Sequence, residues 1–284
     1  MNKSSIQLIH IFFRKVNNMI SQKAQELSDF FNQHQVSCTI INTNEISSEK
    51  PDMVFVLGGD GTFLSASHRY AIEGIPILGI DMGGLGFLTE VSVEALFNAA
   101  LAVLKGNYII ENRMMVDCFI HHTKKGVEQD IALNDVVIYR GPFAQMIRLS
   151  TFIDDEYLAT FPADGLIIGT PTGSTAYSLS AGGPVIHPTL DLFIITPICA
   201  HTLYARSIIV QPTSSIRLIL ESTKEGTMVT LDGQRGFALD KGDYIEVRKS
   251  QITNRMVKLI PDKPFYSLLR DKLSWGMDIR KRID

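Results

Sequence analysis

The first third of the chain alternates short apolar runs with amphipathic segments. The apolar runs are rich in β-branched residues, as expected for strands buried on both faces of a sheet: 6–13, 36–41, 53–57 and 76–80. Helices are predicted between and after them: one capped by Asn17 or Asn18, one over 62–73, and one over 94–105 that stops at Gly106. This alternation predicts a parallel sheet covered by helices.

After about residue 110 the pattern changes to short segments in which apolar and polar residues alternate. The segments predicted to be strands are 116–121, 130–139, 145–153, 157–161, 215–220, 227–231, 244–248 and 256–260. Asp154 and Asp155 are expected at the tip of a hairpin.

Two domains follow from this change of pattern. We predict an α/β domain formed by residues 1–113 and 262–284, and a mainly antiparallel β domain over 114–261. The tail over 265–273 is predicted to be a helix that returns to the first domain.

Composition narrows the class of protein. The 284 residues include 27 Lys and Arg against 30 Asp and Glu, a net charge of -3 that argues against a dedicated nucleic-acid binder. The apolar run at 6–13 is too short to span a bilayer and has the pattern of a first strand rather than of a signal peptide. Three scattered cysteines, Cys38, Cys118 and Cys199, favour a reducing compartment. We therefore expect a cytoplasmic protein with no membrane partner.

The sharpest motif of the first domain is Gly58-Gly59-Asp60-Gly61-Thr62, directly after an apolar strand. Glycines there allow a tight turn and a close ligand, and Thr62 opens a helix whose free N–H groups favour phosphate. A carboxylate beside phosphate is useful if it binds a metal or accepts a proton from a reacting hydroxyl, whereas Asp60 could equally serve only as a helix cap. The motif is neither a Walker A loop nor a G-x-G-x-x-G fingerprint.

A second glycine cluster, residues 79–87, follows the next strand. Turns at the carboxyl ends of successive parallel strands fall where open α/β sheets bind ligands, so the two clusters mark one sheet edge as a site. For Gly86, structural turning is the simpler explanation.

The longest motif is the run 164–184, in which a strand leads into a segment dense in small hydroxyl residues and glycine. Its amides and hydroxyls suit the polar edges of a ribose or a base. No serine lies in G-x-S-x-G, so a hydrolase nucleophile is not supported.

These motifs together resemble those of NAD kinases. GGDGT, the pair Asn134-Asp135, the run 164–184 and the late Asp232-Gly233-Gln234 occur in the order and approximate spacing of that family, over about 53–260. GGDGT alone also occurs in diacylglycerol kinases, sphingosine kinases and phosphofructokinases, which lack the second motif in this form.

The resemblance implies a role for each matching residue. Asp60 would be the base that polarises the adenosine 2′-hydroxyl, Gly61 would lie against the ligand, and Phe87 would lie beneath the dinucleotide. Asn134 would hold the dinucleotide, and Asp135, which stands where the family usually has Glu, would contact the ribose. The remaining implied ligand contacts are Asp164 at the nicotinamide amide, and Thr175, Ala176, Tyr177 and Ser180 around adenine and ribose. Asp232 is the weaker assignment of this set, with the shaping of a turn as its alternative role.

The implied reaction is phosphoryl transfer from ATP to NAD, assisted by Mg²⁺ and giving NADP, in a homotetramer or homodimer. We expect Asp60 and the hydroxyl-rich run to converge on one nucleotide in a cleft between the domains. A lipid kinase and a non-catalytic dinucleotide sensor are the alternative functions. A lipid kinase should have an amphipathic stretch that faces the membrane, and the sequence contains no such stretch. No residue is predicted to bind a resident metal, since adjacent His121 and His122 on a strand point to opposite faces.

Overall fold

The computed structural model describes residues 6–14, 18–45, 47–84, 86–89, 91–141, 146–202, 205–221, 226–261 and 264–274. The chain forms two compact units: Met1–Glu111 with Arg255–Asp284, and Asn112–Asn254. The predicted second domain, 114–261, begins and ends slightly later in the chain. Asn17, one of the two predicted helix caps, lies outside the described residues.

The first unit is built on a parallel sheet. Its strands are β1 (Leu8–Phe13), β2 (Ser37–Asn42), β3 (Met53–Leu57), β4 (Ile77–Asp81) and the two-residue β5 (Val91–Ser92). Its first helices are α1 (Asn18–Gln33), α2 (Asp60–Tyr70) and, after a 3₁₀ turn at Val93–Ala95, α3 (Leu96–Leu104). The order is β4-β3-β1-β2, with β5 parallel to β4.

Hydrophobic burial explains why these segments form this sheet. Every residue of β3 and of β4 is buried, as strands covered on both faces require. Helix α1 packs Ala24, Leu27 and Phe31 into the same core, at helical spacing. The predicted parallel sheet covered by helices is confirmed.

The second unit consists mainly of antiparallel strands. They are β6 (Tyr108–His122), β7 (Gly126–Ala132), β8 (Asp135–Tyr139), β9 (Ile147–Ile153), β10 (Glu156–Ala163), β11 (Gly165–Gly169), β12 (Phe193–Ile198), β13 (Ile208–Val210), β14 (Ile216–Leu220), β15 (Met228–Leu231), β16 (Arg235–Ala238) and β17 (Tyr244–Leu259). One sheet has the order β13-β12-β11-β8-β15-β16. The other contains β10-β9-β14-β17, with β6 paired to β17 and β7. The start of β6, residues 108–111, and the end of β17, residues 255–259, belong to the first unit.

The core of the second unit lies between these two sheets. Ile138, Leu166 and Ile168 of the six-stranded sheet belong to the same buried cluster as Leu149 and Leu218 of the other. Alternating inward-facing residues therefore hold a β-sandwich together. The predicted antiparallel β domain is confirmed.

Some predicted elements were wrong in their limits. The segment 130–139 is not one strand, because the chain breaks between β7 and β8 at Leu133 and Asn134. Conversely, the predicted strands 244–248 and 256–260 merge into the single strand β17, which ends at Leu259. The run 164–184 contains β11, a 3₁₀ turn at Thr172–Thr175 and the short helix α4 (Tyr177–Ser180).

The predicted tail helix is confirmed as α5 (Phe265–Leu273), which belongs to the first unit. Its Lys272 ammonium lies 4.8 Å from the centroid of the Phe87 ring, a cation–π contact. Among the described residues, no helix combines the length and the apolarity needed to cross a bilayer.

Candidate functional site

Asp60 connects the two glycine turns of the first unit. It opens α2 directly after β3, and its carboxylate accepts hydrogen bonds from the backbone N–H groups of Phe87 (2.7 Å), Leu88 (2.9 Å) and Thr89 (3.2 Å). The Thr89 hydroxyl donates a further bond of 3.4 Å. Because β3 and β4 are neighbouring parallel strands, the turns that follow them meet at one sheet edge, as predicted.

Gly86 is required by this contact. A Cβ atom at that position would lie 1.7 Å from the Asp60 Oδ1 atom, so no other residue fits without displacing the carboxylate. Gly61 meets no such neighbour, since a Cβ there would have nothing within 4 Å. Gly86 is therefore explained by the close approach of the Asp60 carboxylate rather than by the predicted turning of the chain, since it has no positive φ.

Asn134 and Asp135 lie where β7 ends and β8 begins, in the second unit. Both are nearly covered, at 9% and 4% exposure. The Asn134 Oδ1 atom is buried and has no hydrogen-bond partner among the described residues. A buried acceptor without a partner is costly, and a ligand that donates a hydrogen bond removes that cost.

The hydroxyl-rich run packs directly against this pair. Thr170 donates its hydroxyl to the Leu133 carbonyl (2.6 Å) and its N–H to the Asn134 carbonyl (2.9 Å). Gly173 approaches so closely that a Cβ would lie 2.0 Å from the Asn134 carbonyl oxygen. The 3₁₀ turn after Thr170 then carries the chain to Ala176 and Tyr177.

A cavity of about 430 Å³ lies in the second unit beside these segments, within the range typical of ligand pockets. Its lining residues are Asn134, Asp135, Val137, Tyr139, Ala176, Tyr177, Thr230, Asp232 and Gly233. Four residues predicted as ligand contacts, separated by some forty positions in the chain, therefore line one cavity: Asn134, Asp135, Ala176 and Tyr177.

The other five predicted contacts do not line that cavity: Gly61 and Phe87 belong to the first unit, and Asp164, Thr175 and Ser180 to the second. Asp164 forms an ion pair with Arg140 (Nε to Oδ1, 2.7 Å), and the Arg140 N–H donates to the Asp164 carbonyl. This carboxylate raises the pKa of the Arg140 guanidinium. Thr175 donates its hydroxyl to the Thr172 carbonyl, and Ser180 is exposed at the end of α4.

The electrostatics of the cavity are dominated by Asp135. Burial raises the pKa of its carboxyl to about 7, and the negative charge of Asp232 adds to this effect. Asp232, Tyr139 and Tyr177 are the other titratable residues in the lining, and burial also raises the pKa of the Tyr177 phenol. The cavity thus contains a carboxyl group that changes charge near neutral pH.

Val137, Tyr139 and Thr230 line the cavity but were not predicted as site residues. Strand alternation could have found the first two, because residues 135, 137 and 139 share one face of β8. Thr230 is the antiparallel partner of Val137 in β15, a pairing that only the sheet register reveals.

The histidines have structural partners. His121 stacks on Tyr244 with ring centroids 4.2 Å apart, whereas the His122 Nδ1 atom lies 2.8 Å from Asp243. Within the described ranges, no group of three or more His, Cys, Asp or Glu residues could hold a metal ion. Asp154 accepts bonds from Ser214 and Ser215 at the predicted hairpin tip, where it has a positive φ of 51°.

Comparison with known proteins shows which protein family has this two-domain architecture. A model of the ATP-NAD kinase N-terminal domain matches residues 8–108, and one of the ATP-NAD kinase C-terminal domain matches residues 133–259. An NAD kinase of Caldanaerobacter subterraneus subsp. tengcongensis is 47% identical over 231 residues, 81% of each chain. That of Geotalea daltonii is 45% identical over 241 residues, 85% of this chain and 84% of its own.

Solved structures have the same fold. The chain superposes on an NAD kinase from Archaeoglobus fulgidus in complex with ATP with a TM-score of 0.75, at 25% identity, covering 94% of this chain and 98% of that one. Yeast NADH kinase complexed with NADH gives a TM-score of 0.86 at 24% identity, over 98% and 90% of the two chains, and shows the fold alone. Because the two family models match most of its length and relatives above 40% identity cover about four fifths of it, the chain belongs to the NAD kinase family.

Proposed function

We propose that the chain transfers the γ-phosphoryl group of ATP to the 2′-hydroxyl of the adenosine ribose of NAD, forming NADP and ADP. Family membership supports NAD as the acceptor, and the Archaeoglobus relative in complex with ATP supports the donor. The observation that carries the proposal is the cavity lined by Asn134, Asp135, Ala176 and Tyr177.

The chemistry of this cavity suits the adenosine half of a dinucleotide. The unpartnered Asn134 Oδ1 atom would accept a hydrogen bond from the adenine amino group. Asp135 would accept one from a ribose hydroxyl, although it is one methylene shorter than the Glu usual in the family. Tyr177, 46% exposed, and Ala176 offer apolar surface to the base, and Thr175 and Ser180 belong to the same segment. Asp164 would contact the nicotinamide amide, as the family resemblance implies.

The reaction exchanges one phosphorus–oxygen bond for another. The 2′-oxygen forms a bond to the γ-phosphorus while the bond to the β–γ bridging oxygen breaks, and ADP leaves with that electron pair. We propose that the Asp60 carboxylate accepts the hydroxyl proton, with Gly61 against the ligand and Phe87 beneath it. A positioned general base contributes roughly 10² to 10⁴ in rate.

Asp60 also has a structural function, since it holds the turn at 87–89 by four hydrogen bonds. Replacement by Asn therefore tests both functions at once. For Asp60→Asn we expect near-normal NAD affinity and a loss of most turnover. Thr89→Val is the matched control, because it removes one of the four bonds and leaves the carboxylate. Near-normal turnover in Asp60→Asn would exclude Asp60 from the chemistry.

Magnesium would neutralise the phosphate oxygens during transfer. The described residues contain no group of three or more His, Cys, Asp or Glu that could hold a metal, so a site made of those side chains alone does not fit the described part of the chain. Mg²⁺ is commonly held by substrate phosphates with only one or two carboxylates. We therefore propose that it arrives bound to the triphosphate.

A coupled assay that detects NADP tests the proposal directly. The purified chain is incubated with NAD, ATP and Mg²⁺, and NADP is measured with an NADP-specific dehydrogenase. NADH, inorganic polyphosphate, diacylglycerol and sphingosine serve as alternative acceptors or donors. Tight NAD binding without any NADP would favour a sensor and refute the proposed activity, and phosphorylation of a lipid instead of NAD would refute the acceptor.

We further propose that the chain assembles as a homodimer or homotetramer. Strand β10 lies at the end of its sheet among the described strands, and Tyr157 and Leu158 are exposed on it. An exposed apolar edge strand is a surface that a second copy can cover. Sedimentation equilibrium would give the state, and a monomer at all concentrations would refute this proposal.

A further inference from the structure

Asp232 occupies an unusual position in the second unit. It follows β15 in the turn to β16 and has a positive φ of 53°, next to Gly233 with φ 63°. Two consecutive residues of positive φ form a type I′ hairpin turn, in which Asp is accepted. Asp232 is nevertheless 9% exposed, so its carboxylate is directed into the protein rather than to solvent.

Its carboxylate binds the backbone that separates β7 from β8. Oδ2 accepts the N–H of Leu133 (3.0 Å), and Oδ1 accepts those of Asn134 (2.7 Å) and Asp135 (3.2 Å). In addition, the Asp232 N–H donates to the Asp135 carbonyl (3.0 Å). Charged acceptors form the stronger hydrogen bonds of proteins, and three N–H groups converge on this one.

The same segment is fixed from a second direction by Thr170, through the carbonyls of Leu133 and Asn134. Its backbone is thereby fully bonded, whereas the Asn134 Oδ1 atom is buried without a partner among the described residues. The backbone is therefore held in one conformation and the side-chain acceptor is left for a ligand.

We infer that Asp232 is a positioning residue for the dinucleotide: by holding the backbone of 133–135, it presents the side chains of Asn134 and Asp135 to the ligand. This inference rests on the proposed function and deepens it. A turn-shaping Asp would need only its own backbone, whereas this carboxylate bonds residues almost a hundred positions away.

The charge of Asp232 has a second consequence for the site. It adds to the burial that raises the pKa of Asp135 to about 7. Burial also raises the pKa of Asp232 itself, but the three N–H donors and the nearby Arg235 oppose this. The charge of Asp232 acts on Asp135, so removing that charge should lower the pKa of Asp135.

The test replaces Asp232 by Asn, which keeps the shape but turns an amide NH₂ toward backbone donors. We expect NAD affinity, measured by calorimetry, to fall roughly 10- to 100-fold, the range for lost charged hydrogen bonds. In turnover assays KM for NAD should rise by the same factor, with kcat and KM for ATP changed less than about threefold. A ¹³C NMR titration should show a lower pKa for Asp135.

The matched control is Asp243→Asn. Asp243 is also a buried carboxylate of the second unit that accepts backbone N–H groups, from Thr123 (2.8 Å) and Asp240 (3.0 Å), but it does not line the cavity. Its variant should lose thermal stability while binding NAD within about twofold of wild type. An equal loss of NAD affinity in both variants would overturn the inference, as would a folded Asp232→Asn protein that binds NAD normally.

Thr170→Val keeps the inference testable if Asp232→Asn does not fold. It removes the neutral bond to the Leu133 carbonyl, and we expect NAD affinity to fall roughly 3- to 10-fold; unchanged affinity would overturn the inference. The wild-type protein reports the proposed function separately. If it binds NAD without making NADP, the proposed activity fails, and the binding ratios of the variants still decide the positioning of Asn134 and Asp135.

Discussion

Gly173 offers a direct test of how closely the hydroxyl-rich run must approach the binding segment. Its backbone lies against Asn134, and an added Cβ would be 2.0 Å from the Asn134 carbonyl oxygen, 2.5 Å from the carbonyl carbon and 2.8 Å from Cα. The obstacle is backbone, which cannot rotate away as a flexible side chain can. Gly173→Ala therefore forces the two segments apart.

The size of the effect follows from these distances. Ordinary contact begins near 3.4 Å, so the separation must grow by about 1.4 Å. Overpacking a well-filled interior costs typically 1–3 kcal/mol, and we expect the upper end, about 3 kcal/mol. In a chain of this size that corresponds to a fall in Tm of roughly 6–12 °C. A misplacement of about 1 Å can cost on the order of 10²-fold in catalytic rate, so turnover should fall strongly, and NAD affinity should fall as well.

Gly169→Ala is the matched control for this variant. Gly169 is buried in β11, four residues earlier, and an added Cβ would lie 3.9 Å from the same Asn134 carbonyl oxygen, an ordinary contact. Calorimetric melting and NAD titration of both variants provide the comparison. A Gly173→Ala protein that melts and binds NAD like Gly169→Ala would refute the claim that this close approach shapes the site.

Two further predictions concern pH. The pKa of Asp135 is raised to about 7 in the folded state, so the folded protein binds more protons than the unfolded one between about pH 4 and 7. The free energy of unfolding should therefore decrease by up to about 4 kcal/mol as the pH rises from about 4 to 7. Asp135→Asn should remove this decline in urea-unfolding midpoints, and an unchanged slope would contradict it. Burial opposes ionisation of Asp243, but hydrogen bonds from Thr123, Asp240 and His122 outweigh it and lower the pKa of this carboxyl to about 2. The ionised carboxylate therefore stabilises the fold above about pH 4, and this stabilisation is lost as the pH falls toward 2. Asp243→Asn should lose on the order of 1–2 kcal/mol at pH 7 with little further acid dependence, and an acid transition identical to that of wild type would argue against this.

The sequence was most informative where burial alone decides structure. Strands β3 and β4 were predicted because residues covered on both faces must be apolar. The break at Leu133 and Asn134 was not predicted, since its cause is Asp232, far along the chain, which takes the N–H groups that a continuous strand would use. A local pattern of apolar residues contains no trace of such a distant acceptor.

Polar residues in long strands explain another error. The polar segment between 248 and 256 was not among the predicted strands, yet Ser250 and Asn254 are buried within β17. Strand β12 was not predicted either; it carries Pro197, which pairs with Leu166 of β11 and lies outside residues 193–195, the part of β12 that pairs with β13. In both cases sheet pairing overrides local propensity.

The residues of the candidate site also differ in whether the sequence could identify them. Asn134, Asp135, Ala176 and Tyr177 were identified by their motif, and the structure brings them to one cavity. Val137 and Tyr139 follow once Asp135 is known to face that cavity, because alternate residues of β8 share a face. Thr230 depends on the register of β15 against β8, which a single sequence does not determine.

Asp60 and Asp232 share a construction that bears on how loss of activity should be interpreted. Each is a carboxylate that accepts three backbone N–H groups from a distant segment carrying candidate site residues, 87–89 in one unit and 133–135 in the other. A substitution at either position thus moves backbone as well as removing a charge, so lost turnover alone cannot identify a base. The pH dependence of kcat separates the two effects for Asp60. Displacement of the turn lowers kcat at every pH, whereas loss of a base also removes the acidic limb of the profile.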